Sequence, residues 1–468
     1  MQGGLSSDYS YNALQDPARS ILRKPVVQGQ CPICRRFHCP LKSHHTFARN
    51  LADKQQRQRH DAPLRQIDNE KADPFANHPI HMTPELERFY AQGWLRWNSD
   101  FKGPERHLFP RSRFSAVFRA AWQDVALHYG LLSLIATQIS ILRDGTVDEI
   151  ALELQLKAIT AQRQALLRGE LSDERVMTTL CIMSNAFATN SKENLTAHLQ
   201  LISIWLQRRG GLPRLGMEGI IADNLMYADH TKAIVYNVLP SFESHTPAIP
   251  STTAPNAGLA YVKLQLRGLV PEELATTAND YVVLVRIFDQ AAKGRCAPSE
   301  QTYFAYLANV VEYQLACANA KLHDTNSLEE CLVLACLVAN HSLLRNYGQL
   351  SPSIPILEQR LWRCLDHLRE EEFFTLNHLH DLECFLACIG SITSVRRTSP
   401  FEDRTVKIIT QLRSQNPAPF QEFYQLCDIM ESYGWSESVC LTLYARLWNK
   451  STESDSNLEE DKTKLILT

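Results

Sequence analysis

Residues 149–211 read EIALELQLKAITAQRQALLRGELSDERVMTTLCIMSNAFATNSKENLTAHLQLISIWLQRRGG. Three apolar rows run through this stretch. Leu152, Leu156, Ile159 and Leu166 form one, Val176, Leu180, Met183 and Phe187 a second, and Leu195, Leu199, Ile202 and Leu206 a third. Each follows i, i+4, i+7 with a further helical step, whereas a strand would alternate every second residue. Three amphipathic helices are therefore predicted, the apolar row being the face that a globular helix turns to its core. Ser172-Asp173-Glu174 supplies a cap and two acids for the start of the second helix. Gly210-Gly211 closes the third, because glycine enters the left-handed region without a clash, and Pro213 blocks continuation.

The same reading extends in both directions. Upstream, Met82-Thr83-Pro84-Glu85 places a capping residue before a proline at the first helical position, which predicts a helix through Phe89 and Trp94. Downstream, residues 218–239 form another helix, stopped by Pro240. Ser327-Leu328-Glu329-Glu330 reads as a capping box ahead of Cys331-Leu332-Val333-Leu334, the serine and Glu330 satisfying each other's free amides. Further helices are expected at 357–374, 376–390, 401–413 and 419–448. Strand signals are scarce, and no fixed-period repeat is found. The expected fold is all-α, of layered antiparallel helices. Its parts are a basic, largely disordered leader (1–80), a first helical part (81–240), a Pro/Ser/Thr-rich loop (241–257), a second helical part (258–448) and an acidic, mobile tail (449–468).

Composition agrees with a folded body. The chain has 468 residues, 44% apolar and 21% charged, with 18 Gly and 22 Pro, near the averages for globular proteins. At this length it should form two domains or a layered array rather than one ordinary core. Its longest apolar stretch, Leu131 to Leu142, is interrupted by Ser133, Thr137, Gln138 and Ser140, while a membrane span needs about 20 predominantly apolar residues. Residues 1–20 show no basic segment followed by an apolar run, so neither a signal nor a transit peptide is expected, and the chain is read as intracellular. Ten of the 13 cysteines lie in the body, mostly in apolar helical segments, as reduced core thiols do. The net charge of −3 divides unevenly, with 12 Lys/Arg against 6 Asp/Glu in residues 1–71. These charges are spread out, so a solvated leader is the plain reading and contact with nucleic acid the sharper one.

A family resemblance rests on an ordered set of short matches. Ala197-His198-Leu199-Gln200 through Gln207-Arg208-Arg209-Gly210-Gly211-Leu212 resembles a stretch of the fungal-specific transcription factor domain, in which a helix beginning near a histidine ends in Arg-Gly-Gly-Leu. Tyr227-Ala228-Asp229, with Ala233, is similar to the family's next helix, and Leu171-Ser172-Asp173-Glu174 to its preceding one. The matches cover roughly 85–240. The resemblance implies a multi-helix regulatory domain in a nuclear regulator of metabolic or secondary-metabolite genes, with protein partners such as the transcription machinery or another regulator. Its motif residues here are His198, Arg209, Gly210, Gly211, Leu212 and Asp229. The family's DNA-binding module holds two zinc ions with six cysteines, and this chain has three N-terminal ones. Direct DNA contact is therefore expected to be at most nonspecific. A helical scaffold derived from the family is the alternative.

Candidate sites follow from side-chain chemistry. Cys31, Cys34, Cys39 and His44 have a spacing close to a zinc knuckle with the last two ligands exchanged, and could surround one zinc ion, with His38 or His45 as substitutes. The competing reading is free thiols in a flexible leader. His378-Leu379-His380-Asp381-Leu382-Glu383 offers four ligand types in six residues, but a helix turns i and i+2 apart, which favours a solvated face. His198 is expected to pack or hydrogen-bond rather than act as a base, and Arg208, Arg209 and Asp229 to pair across helices. No Gly-x-Ser-x-Gly elbow, His-Glu-x-x-His, phosphate loop or Gly-x-Gly-x-x-Gly is present, so no enzymatic activity is expected.

Overall fold

The computed structural model describes residues 78–99, 114–188, 191–243, 259–295, 298–344, 353–392, 401–415 and 420–466. Among the described residues there are seventeen α-helices and no strand, so the fold is all-α. Two compact units are present. The larger is Gln66–Thr393 with Ile429–Ser436; the described residues of the smaller belong to Ser394–Asp428 and Glu437–Thr468. The expected disordered leader lies outside the described residues up to 77, as does most of the loop at 241–257.

The larger unit begins with α1 (Pro84–Ser99), α2 (Phe114–Ala121), α3 (Val125–Asp144), α4 (Glu149–Leu167), α5 (Asp173–Ala188) and α6 (Lys192–Arg209). Two short 3-10 turns then lead into α7 (Ile220–Tyr236). It continues with α8 (Leu259–Leu266), α9 (Glu272–Ala292), α10 (Pro298–Leu322) and α11 (Leu328–Ala339). A π-helical turn, Asn340–Leu344, precedes α12 (Ser353–Glu370), α13 (Phe373–Leu376) and α14 (His380–Ile389). α3 is the hub of the first half, packing against α1, α4 and α5; in the second half α10 packs against α7, α9 and α11. α7 and α10 come from opposite sides of the Pro/Ser/Thr-rich stretch.

Local chemistry explains the helix ends. Asp124 and Asp148 cap α3 and α4, their carboxylates accepting from the amides of Leu127 and Ala151 at 2.7 and 2.9 Å. The second and third rows are buried as the spacing predicts: Val176, Leu180 and Met183 on α5, and Leu195, Leu199, Ile202 and Leu206 on α6. Of the first row, only Leu166 packs against the core. α4 turns Ala151, Leu154, Ala158, Gln162 and Ala165 inward, and leaves Leu152, Leu156 and Ile159 exposed. Alanines seven residues apart let α4 approach α3 closely, which larger side chains would prevent, and Ser133 of α3 donates to the Ala151 carbonyl at 2.9 Å. Gln162 adds a polar anchor, donating to the Arg175 carbonyl at 2.9 Å and to Thr179 Oγ1 at 3.1 Å, and accepting from the Arg175 guanidinium at 3.2 Å. Arg175 is itself ion-paired with Asp124.

Several boundaries differ from the expected ones. α7 ends at Asn237, whose φ of 53° makes a left-handed cap, three residues before Pro240. The Ser327 hydroxyl accepts from the Glu330 amide at 3.2 Å as a capping box requires, but the Glu330 carboxylate reaches past Ser327 to the amides of Asn326 and Asp324, at 2.9 and 3.2 Å. The segments 357–374 and 376–390 resolve into α12, α13 and α14, separated at Glu372 and His378, both at positive φ.

The single helix expected over 419–448 is two, α16 (Phe423–Ser432) and α17 (Glu437–Ile466), broken at Gly434. There φ is 87° and a Cβ would lie 2.8 Å from Val282 Cγ2. In the smaller unit α15 (Glu402–Gln415) packs against α17. Glu402 is buried there between Arg446 and Lys450, at 3.0 and 2.7 Å. The expected acidic tail is helical as far as Ile466, since no glycine or proline interrupts residues 437–466. The nine described cysteines are free thiols and mostly buried, as expected. Burial pushes the thiols of Cys181 and Cys336 up to about 12.

Candidate functional site

The outward face of α4 gathers four exposed large apolar side chains. Leu152, Leu156, Ile159 and Leu167 are 48%, 63%, 41% and 80% exposed. With 3.6 residues per turn they fall on one stripe about 23 Å long, at 1.5 Å per residue. Single exposed leucines are ordinary on a soluble protein; four along one helix face are the pattern of a contact surface. Acids crowd its start, at Asp148, Glu149 and Glu153, and bases follow, at Lys157, Arg163 and Arg168. Within this set Lys157 pairs with Glu153 at 2.7 Å. Glu149 and Arg163 are exposed and form no ion pair among the described residues.

The residues that carry the family resemblance build a structural clasp. Gly210 ends α6 in the left-handed region at φ 88°, and Gly211 follows at φ 92° and ψ −176°, a conformation essentially confined to glycine. This exit lets Leu212 pack against the core and brings Gly216 to α5, where its amide donates to Asp173 Oδ2 at 3.1 Å. Asp173 also pairs with Arg209 at 2.7 Å. The pairing expected between the arginines and Asp229 is therefore replaced. Arg208 is exposed, and the fully buried Asp229 accepts from the amides of Ser241 and Phe242 at 2.6 and 2.9 Å, pinning the chain after α7. His198 is half-buried on α6, as expected of a packing residue, and burial lowers its pKa.

Two buried polar clusters have long-range partners that the sequence did not indicate. In the first, Glu312 of α10 lies between His341 on the π-helical turn, at 3.0 Å, and His230 on α7, at 3.7 Å. Ser353 Oγ is 2.9 Å from His341 Nδ1, and all four residues are fully buried. A hydroxyl, an imidazole and a carboxylate in a row have the order of an activated nucleophile, but solvent does not reach this serine in the arrangement seen. The cluster instead ties α7, α10, the π-turn and α12 together. In the second, Glu330 of α11 receives Arg360 of α12 at 2.9 Å in addition to the two loop amides. Arg360 also donates to Asn237 Oδ1 at 2.6 Å, joining the cap of α7 to the pair.

Among the described residues, no group of three or more His, Cys, Asp or Glu side chains is arranged to hold a metal. His378 to Glu383 is a clasp rather than a solvated face, because Glu383 is buried and paired with Arg369 at 2.7 Å. Burial raises its pKa despite that arginine. Cys31, Cys34, Cys39 and His44, with His38 and His45, lie outside the described residues. Nor is any helix among them long and apolar enough to cross a membrane.

Comparison with protein-family models, curated proteins and solved structures gives no match.

Proposed function

We propose that this protein is a transcription-regulator-like protein that works through protein contacts of its helical body, with the outward face of α4 as a contact surface. One observation carries the reading: α4 buries its alanines and Gln162 and leaves Leu152, Leu156, Ile159 and Leu167 outside. Turning the larger apolar side chains to solvent sacrifices burial worth about 1.5–3 kcal/mol per residue, which a partner would recover. The transcriptional side of the reading is supported by the resemblance at His198, Arg209 to Leu212 and Asp229, and it implies a nuclear location. In this reading the protein reaches promoters through other proteins, since three N-terminal cysteines fall short of a six-cysteine cluster. The scaffold alternative keeps the same surface without the promoter.

Tethering separates these readings. The full chain, fused to a heterologous DNA-binding domain in a fungal host, should alter output from a reporter carrying that domain's site. The double variant Leu152→Gln, Leu156→Lys should abolish the change at equal abundance, because both positions are exposed and surface substitutions shift stability by only about 0.5 kcal/mol. A reporter indifferent to the wild-type fusion would favour the scaffold; one that responds equally to the variant would remove α4 from the account.

A further inference from the structure

We infer that the partner of the α4 face is a second copy of this chain, docked antiparallel about a two-fold axis at Leu156. The inference rests on the reading of α4 as a contact surface and adds the identity of what covers it. Its basis is the charge order of the stripe. Glu149 stands seven residues before Leu156 and Arg163 seven residues after it. Seven residues are close to two helical turns, so all three share one face, the charges about 10 Å either side of the leucine. Both charged residues are exposed, and neither has an ion-pair partner among the described residues.

An isologous interface brings each residue against its mirror position across the axis. With the axis at Leu156, Leu156 meets its own copy, Leu152 meets the Ile159–Thr160 step of the other copy, and Glu149 meets Arg163 of the other copy twice. A parallel pairing would set Glu149 against Glu149 and Arg163 against Arg163, which disfavours it. A single pair of helices falls at the small end of interface sizes, so a micromolar, reversible dimer is expected.

Charge exchange in the full chain tests this, with sedimentation equilibrium as the readout. The wild type should associate reversibly. Glu149→Arg and Arg163→Glu should each weaken association about tenfold, because each replaces two attractions by two repulsions. An equimolar mixture of these two variants should associate at least as well as the wild type, since every facing pair is then opposite in sign. The double variant Glu149→Arg, Arg163→Glu should recover the wild-type affinity to within about twofold. Both positions are exposed, and thermal denaturation of each variant is the control that the fold is kept. A wild type that stays monomeric at about 100 µM would overturn the proposal, as would single variants that associate normally or a mixture that fails to recover. If the wild type is monomeric while the Leu152→Gln, Leu156→Lys reporter effect persists, self-pairing is wrong and the contact-surface reading stands.

Discussion

Replacing Glu330 by alanine should destabilise the protein by about 3–5 kcal/mol, the cost of leaving a buried charge without its partner. The carboxylate is fully buried and gathers the Arg360 guanidinium, the amides of Asn326 and Asp324 and the Thr325 hydroxyl. Its removal strands Arg360, whose other side-chain partner among the described residues is Asn237. Chemical denaturation of the variant should show a lower midpoint, and the loss should shrink when Arg360 is replaced by methionine in the same chain, because no orphaned charge then remains. Acid titration adds a second readout. Burial alone would raise the Glu330 pKa, but Arg360 and the loop amides outweigh it and bring the pKa below 4.5. Because the folded value is depressed, the contribution is present above pH 4.5 and is lost as pH falls through the folded value.

At higher pH a different group should control stability. His128 of α3 is fully buried, stacked on Tyr90 at 5.3 Å and edge-on to His78 at 4.8 Å, and donates Nδ1–H to the Ala121 carbonyl at 3.0 Å. Burial drives its pKa down to about 4, against a partial opposing effect of the Ala121 carbonyl and a further depression by His78. The unfolded chain therefore takes up this proton near pH 6.5 while the folded chain does not. Stability should be intact above about pH 6.5, fall by about 1.4 kcal/mol per pH unit below it, and level off near pH 4 after a loss of about 3 kcal/mol. Denaturation midpoints measured across this range for the wild type and His128→Gln should diverge at neutral pH and converge toward pH 4. Parallel profiles would show that His128 titrates alike in the folded and unfolded chains.

The two windows separate because a paired carboxylate titrates below its ordinary range while a buried imidazole is charged first in the unfolded chain, and of the two groups only Glu330 was marked in the sequence. Ser327-Leu328-Glu329-Glu330 announced itself as a cap, since local hydrogen bonding needs only local spacing. That Glu330 would serve Arg360 thirty residues away is a tertiary fact with no short-range signal. Glu312, in the apolar run Val310-Val311-Glu312-Tyr313, did leave a mark: a lone acid among buried neighbours asks for a partner, although nothing nearby says that His230 and His341 supply it. Rows built from Val176 and Leu195 were read correctly because size and apolarity there point the same way.

On α4 they diverge. Periodicity finds the leucines, but the alanines at 151, 158 and 165 form an equally regular row, and close helix packing favours the smaller one. The inverted face thus marks both where the sequence reading failed and where the candidate contact surface lies. Gly434 and Asn237 show the same kind of limit at helix ends. Proline stops a helix by its own chemistry, whereas a left-handed cap at asparagine or a break at glycine depends on what packs beside it.

The central claim, that the helical body acts at promoters through the α4 face, is tested most directly by chromatin immunoprecipitation of the tagged full-length chain. The account predicts promoter occupancy for the wild type and its loss in Leu152→Gln, Leu156→Lys at equal nuclear abundance. Exclusion of the wild type from the nucleus with no occupancy, or occupancy that the double variant leaves unchanged, would contradict it.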